Sequence, residues 1–234
     1  MKKRLMAGTV PLVLALAVFV SPAGADDRLP RGGAGYFMIG GSLLDLDGLN
    51  ATLERGGYSR FPGSFLTVGG GGHALVGRLV LGGEGQGMME RRGSGADSKT
   101  VISGGCGFFD IGYVIHSGSG LQVYPFFGIG AGSVDLKILG SGTAPFEEVL
   151  ADPGRSARLQ TSGFLMQIAL AADRWLGPAG RGGRSGFFIG VRAGYVFAPA
   201  KGAWEIEGTE IGGGPGVGWT GPYLRISIGA GRSQ

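Results

Sequence analysis

Tyr223-Leu224-Arg225-Ile226-Ser227-Ile228-Gly229-Ala230-Gly231 is the stretch that decides the fold. Its even positions carry Leu224, Ile226, Ile228 and Ala230, and its odd positions carry Tyr223, Arg225, Ser227 and glycine. Side chains alternate across an extended strand, so the segment has one apolar face and one small-or-polar face. Helical phasing would mix the two sets. Residues 187–197 repeat the pattern, with Phe187, Ile189, Val191, Ala193, Tyr195 and Phe197 on one parity and Gly190, Arg192 and Gly194 on the other.

Extended along the chain, the same reading predicts eight strands, at about 35–45, 64–75, 78–91, 98–116, 121–139, 157–176, 184–198 and 218–232. In the sixth, Phe164, Met166, Ile168, Leu170 and Ala172 share a face, with Gly163, Gln167 and Asp173 opposite. In the fifth, the apolar parity changes from Phe127, Ile129 and Ala131 to Val134, Leu136 and Ile138, which predicts a bulge near Gly132-Ser133. The connections 46–63, 92–97, 140–156 and 199–217 are long or medium, and 76–77, 117–120 and 177–183 are tighter. An antiparallel up-and-down meander with long loops at one end and short turns at the other fits this alternation. Outer-membrane barrels have that asymmetry.

Composition removes several classes. Of 234 residues 52 are Gly, yet the glycines follow no three-residue period, so the chain is not collagen-like. A single Cys excludes a disulfide scaffold. With 43% hydrophobic and 16% charged residues, the chain lacks the signature of disorder. Lys2, Lys3 and Arg4, the apolar run 12–20 and Ala23-Gly24-Ala25 read as a cleaved signal peptide over residues 1–25. Its removal lowers the formal net charge from +4 to +1, which gives no basic footprint for nucleic acid. Beyond residue 25 no apolar run reaches the length of a spanning helix. Residues 26–234 are therefore expected to form a single exported β domain.

A barrel core packed only by glycine would be empty. The apolar face is thus expected to look outward into lipid, with small residues lining a narrow lumen: an all-β, eight-stranded antiparallel up-and-down transmembrane β-barrel. Glu84, Asp110, Arg192 and Arg225 fall on the inward parity near mid-strand. Buried charges need partners, so two acids and two arginines are expected to neutralise each other as an interior polar network that plugs the lumen. A gated pore or proton path is the alternative use of the same four residues.

This pattern resembles the small eight-stranded bacterial outer-membrane β-barrel proteins, the group that includes the OmpA transmembrane domain and OmpX. The resemblance covers residues 35–232. Thr220-Gly221-Pro222-Tyr223-Leu224-Arg225-Ile226 looks like the signal that such proteins present to the barrel-assembly machinery, although the chain ends Arg232-Ser233-Gln234 instead of on an aromatic residue. The resemblance implies the outer membrane of a Gram-negative bacterium, outer-membrane lipid and the assembly machinery as partners, no cofactor and a surface partner of unknown kind.

Other motifs point away from enzymatic chemistry. Gly128-Ile129-Gly130-Ala131-Gly132 is followed by the alternation of 133–138 and not by the helix that a dinucleotide loop requires. Gly69 to Gly72 and Gly212 to Gly214 lack the Gly-Lys-Ser/Thr ending of a phosphate loop. Cys106 lies on the small-residue face as a lumen filler. The group also contains lipid A-modifying enzymes, whose hydrolytic or acyl-transfer chemistry would need a histidine base. His73 and His116 are both expected on the periplasmic rim, away from surface lipid, and two distant histidines hold no metal.

The long loops carry apolar residues. Asp47 is expected to cap a short helix bearing Leu49 and Leu53, ended by Gly56. Phe146 and Leu150 sit in the connection 140–154, and Trp204 and Trp219 frame the last one. Two uses stay open for these six: contact with partners or lipid headgroups, or closure of the barrel mouth. The reading is a non-enzymatic outer-membrane barrel with an envelope structural or surface-interaction role through its loops. A lipid A-modifying barrel enzyme and a soluble exported barrel for a small apolar ligand are the alternatives.

Overall fold

The computed structural model describes residues 31–95, 98–140, 156–177, 179–180 and 183–232. The elements in chain order are β1 (Arg31–Leu43), α1 (Asp47–Arg55), β2 (Ser64–Val76), β3 (Leu79–Ser94), β4 (Ser98–Tyr113) and β5 (His116–Gly118). They continue as β6 (Leu121–Gly140), β7 (Ser156–Trp175), β8 (Ala179–Gly180), β9 (Gly183–Ile206), β10 (Thr209–Ile211) and β11 (Gly221–Arg232). Strands β1, β2, β3, β4, β6, β7, β9 and β11 pair in that order, and β11 pairs back to β1; every pairing is antiparallel. The sheet is therefore a closed eight-stranded barrel. Closure leaves no free edge within the ring. The minor strands β5, β8 and β10 add short ribbons to β6 and β9.

Turn chemistry fixes the tight end. Ser119 (φ +51°) and Gly120 (φ +80°) supply the two left-handed residues of a type I′ hairpin between β5 and β6. Gly77 (φ +61°) takes the first position of the turn between β2 and β3.

The walls follow the alternation. Phe37, Ile39, Leu66, Val68, Phe109, Ile111, Phe127, Ile129, Ile168, Leu170, Phe187, Ile189, Val191, Leu224, Ile226 and Ile228 stand on the outer face, up to 69% exposed at Phe187. Their inward neighbours are buried, and Arg225 and Ser227 are among the most deeply enclosed residues of the chain.

Four local expectations change. Strand β6 carries no bulge at Gly132-Ser133; its register runs unbroken against both β4 and β7. The apolar residues change face there because the strand climbs out of the apolar belt, and from Val134 upward the barrel interior is itself an apolar core. Bulges occur instead on β3, between Met88 and Arg91, and twice on β9, opposite 161–163 and 164–166 of β7. Strand β9 consequently runs past Ala198-Pro199-Ala200 to Ile206, well beyond the expected end at 198. Each bulge absorbs one extra residue, so the two together restore the inward parity shared by Val196 and Trp204.

Glycines occupy both faces, not chiefly the lumen. Gly83, Gly85, Gly105 and Gly107 alternate with the inward Glu84, Gln86, Cys106 and Phe108 and so lie on the outer wall. The inward glycines make room for large polar neighbours. A Cβ at Gly71 would meet the Tyr36 hydroxyl at 2.7 Å, and one at Gly128 would meet Gln167 Cγ at 2.7 Å and collide with the Asp110 carboxylate.

Helix α1 lacks the expected Asp47 cap. Leu46 is the N-cap residue, with no side-chain hydrogen bond, and the Asp47 amide donates to Asp45 Oδ1 at 3.2 Å. Asp47 lies in the first turn, where its charge favours the helix N-terminus, and Gly56 ends the helix as expected.

Candidate functional site

The interior has three levels, read along the inward parity of the strands. Nearest the short turns, the inward positions include the apolar Leu75, Val80, Trp175 and Phe188, with the Trp175 and Phe188 rings 4.9 Å apart. Nearest the long connections lies the densest apolar packing. Phe65, Met88, Ile102, Val134, Leu136 and Leu165 project from the walls, and Leu44, Leu46, Leu49, Leu53, Phe61, Trp204, Val217 and Trp219 close over them. Between the two sits a band of charged and polar side chains.

Glu84 is the hub of that band. Its Oε2 accepts from Arg192 Nη1 at 3.1 Å and its Oε1 from Arg225 Nη1 at 2.8 Å, all three side chains at most 3% exposed. Gln167 Nε2 donates to Glu84 Oε1 at 3.0 Å and to Asp110 Oδ1 at 2.8 Å, while Gln167 Oε1 accepts from the Tyr223 hydroxyl at 2.9 Å. Arg192 Nη2 donates to the Tyr124 hydroxyl at 3.2 Å, and that hydroxyl donates to Asp173 Oδ2 at 2.8 Å. Each guanidinium also covers an aromatic face: Arg192 lies 3.7 Å from the Tyr36 ring centroid and Arg225 lies 3.6 Å from that of Tyr223.

The structure thus brings Glu84, Asp110, Arg192 and Arg225 together, though not as two matched pairs. One acid takes both arginines, and Asp110 joins through Gln167. Carboxylates held apart by a bridging amide avoid like-charge contact, and the guanidinium positions between opposite charge and ring faces offset their desolvation. Sequence reasoning missed Tyr36, Tyr124, Gln167, Asp173 and Tyr223 as members. Their signal was the inward parity of their own strands, which picks out polar residues as well as charged ones.

His73 also belongs inside. It is 3% exposed, with its ring 6.0 Å from Tyr36 and 5.8 Å from Tyr124, and it does not sit on the rim. On β2 it is one inward position above the buried Leu75. His116 is exposed beside the β5 turn. Buried Cys106 accepts from Gln86 Nε2 at 3.2 Å. Among the described residues no group of three or more His, Cys, Asp and Glu is arranged to hold a metal.

The loop residues are a correction where partner contact was considered. Leu49, Leu53, Trp204 and Trp219 are all at most 5% exposed. Trp204 Nε1 donates to Pro215 O at 2.7 Å and Trp219 Nε1 to Ser133 O at 3.0 Å, so each indole is locked over the mouth with its polar atom satisfied. Asn50 clips α1 down by exchanging two hydrogen bonds with the Phe61 backbone, at 3.0 and 2.9 Å. Phe146 and Leu150 lie outside the described residues.

No family model and no curated protein matches the chain. Among solved structures it is similar to Ail, the attachment invasion locus protein of Yersinia pestis, at 10% identity over 87% of this chain and 97% of that chain, with a TM-score of 0.44.

Proposed function

We propose that the protein is a non-enzymatic β-barrel of the outer membrane in a Gram-negative bacterium, serving envelope structure or surface interaction through its long-connection end. One observation carries the reading: a wall of aliphatic and aromatic side chains encircles an interior of two arginines and three acids. Water around such a wall would be costly, because apolar area is disfavoured in water at about 25 cal/mol per Å2. Lipid removes that cost. The charged band is enclosed by the barrel, with Glu84, Asp110, Asp173, Arg192 and Arg225 all buried.

An export signal at residues 1–25 supplies a route to that location. With the loop tryptophans and leucines turned inward, a surface role falls to the strand extensions, where Arg92, Lys99, Glu205, Glu207 and Glu210 are exposed. Outer-membrane fractionation followed by electrophoresis with and without boiling in SDS tests the reading. A membrane-fraction band whose mobility changes on boiling is expected. Recovery in the soluble periplasm with no change in mobility would overturn it.

A further inference from the structure

The outer wall carries a groove of about 500 Å3, at the upper edge of the apolar belt where β11, β1 and β2 run side by side. Its origin is a single register row. Leu224 of β11, Gly41 of β1 and Leu66 of β2 are cross-strand neighbours, so a missing side chain is flanked on both sides by half-exposed leucines. Leu43, Ser64 and Pro222 bound the slot further up. Nothing inside the chain demands glycine at this position. A Cβ on Gly41 would meet no atom closer than Phe65 O at 4.0 Å.

A cation stands at the groove. Arg91 shares the odd parity of the outward residues of β3, and the bulge after Met88 brings it opposite Ile102, a fully buried inward residue. Arg91 is exposed and lines the groove together with Leu66. It forms no ion pair or side-chain hydrogen bond among the described residues, whereas Arg60 already faces Asp47 and Glu54. An apolar slot continuous with the apolar wall, with a guanidinium at its upper edge, is complementary to an acyl chain whose headgroup also bears a phosphate.

We propose that this groove holds an acyl chain of a phosphorylated outer-leaflet glycolipid, with its phosphate on Arg91. The proposal rests on the membrane reading above, under which the long-connection end faces the outer leaflet. Guanidinium matches phosphate oxygens as a planar fork, so recognition depends on the headgroup charge and the slot together.

The test uses the full chain refolded in detergent, with native mass spectrometry after adding diphosphoryl lipid A or phosphatidylethanolamine. Retention of one lipid A is expected, with phosphatidylethanolamine retained about tenfold less. Arg91→Ala should cut lipid A retention about tenfold, and Arg91→Lys should keep an intermediate share because it holds the charge without the fork. Gly41→Leu fills the slot from an open position and should lose lipid A while keeping the mobility change on boiling. Retention by Arg91→Ala and Gly41→Leu equal to that of the unchanged protein would overturn the proposal, as would equal retention of the two lipids. A folded barrel that retains no lipid A defeats this proposal alone; an unchanged chain that shows no mobility change on boiling defeats the membrane reading beneath it.

Discussion

Along β6, residues 121–132 turn Phe127 and Ile129 outward and Gln122 and Tyr124 inward, whereas residues 133–140 turn Lys137 outward and Val134 and Leu136 inward. The neighbouring β7 does the same, with Ile168 and Leu170 outside below and Arg158 and Gln160 outside above. Strand geometry is unchanged between the two regions; what changes is the medium that each face meets. In the belt, the apolar side chains stand outside, where the proposed membrane location gives them lipid, and the protein encloses its own charges. Above it, water takes the charges, as in the Arg158–Asp135 pair at 2.7 Å, and the apolar residues pack under α1 and the two tryptophans. On the membrane reading proposed above, a single chain behaves as a membrane protein at one level and as an ordinary globular one at the next.

The largest test of this contrast is the belt interior. Glu84→Ala leaves two buried guanidiniums without their carboxylate and should destabilise the barrel by about 3–5 kcal/mol, read by urea unfolding in lipid vesicles. A loss under about 1 kcal/mol would mean that water reaches the band. In the upper core, Leu136→Ala opens a cavity and should cost about 2–5 kcal/mol. Ile129→Ala, on the lipid side of the same strand, should cost clearly less in the same assay because acyl chains fill the space. Equal costs would erase the distinction between the regions.

Charge on the outer wall is the next test. Ile226→Arg should cost about 2–4 kcal/mol at mid-belt, with less folded protein in a mobility assay. Smallest of all, Lys137→Leu above the belt should stay within about 0.5 kcal/mol. If the two outer-wall substitutions rank the other way, the belt has been placed at the wrong height.

The ring of strands was legible because period two survives wherever one face meets lipid, as in 187–197 and 223–231. The exchange of faces in β6 was visible as a change in parity, but a bulge explains the same letters and no local rule separates a kinked strand from a strand changing medium. Pro199 between two alanines reads as a strand end; only the pairing with β7 shows that two bulges carry β9 through. Within the polar band, formal charge marked Glu84, Asp110, Arg192 and Arg225, while Gln167 and the tyrosines look like any polar or aromatic strand residue. Which of them meet depends on the closure of eight strands. Burial of Trp204 and Trp219 was equally hidden, since a loop tryptophan reads the same whether it faces water or a cavity beneath it.

A nitroxide scan of the outward positions of β6 tests the central claim most directly. Labels placed one at a time at odd positions from 127 to 139, in a Cys106→Ala background refolded into vesicles, would be read by collision with oxygen or a water-soluble nickel chelate. Oxygen should dominate at Phe127 and Ile129 and nickel at Lys137 and Leu139, with the changeover between Ala131 and Asp135. Nickel access at 127 and 129, or one medium along the whole strand, would contradict the account.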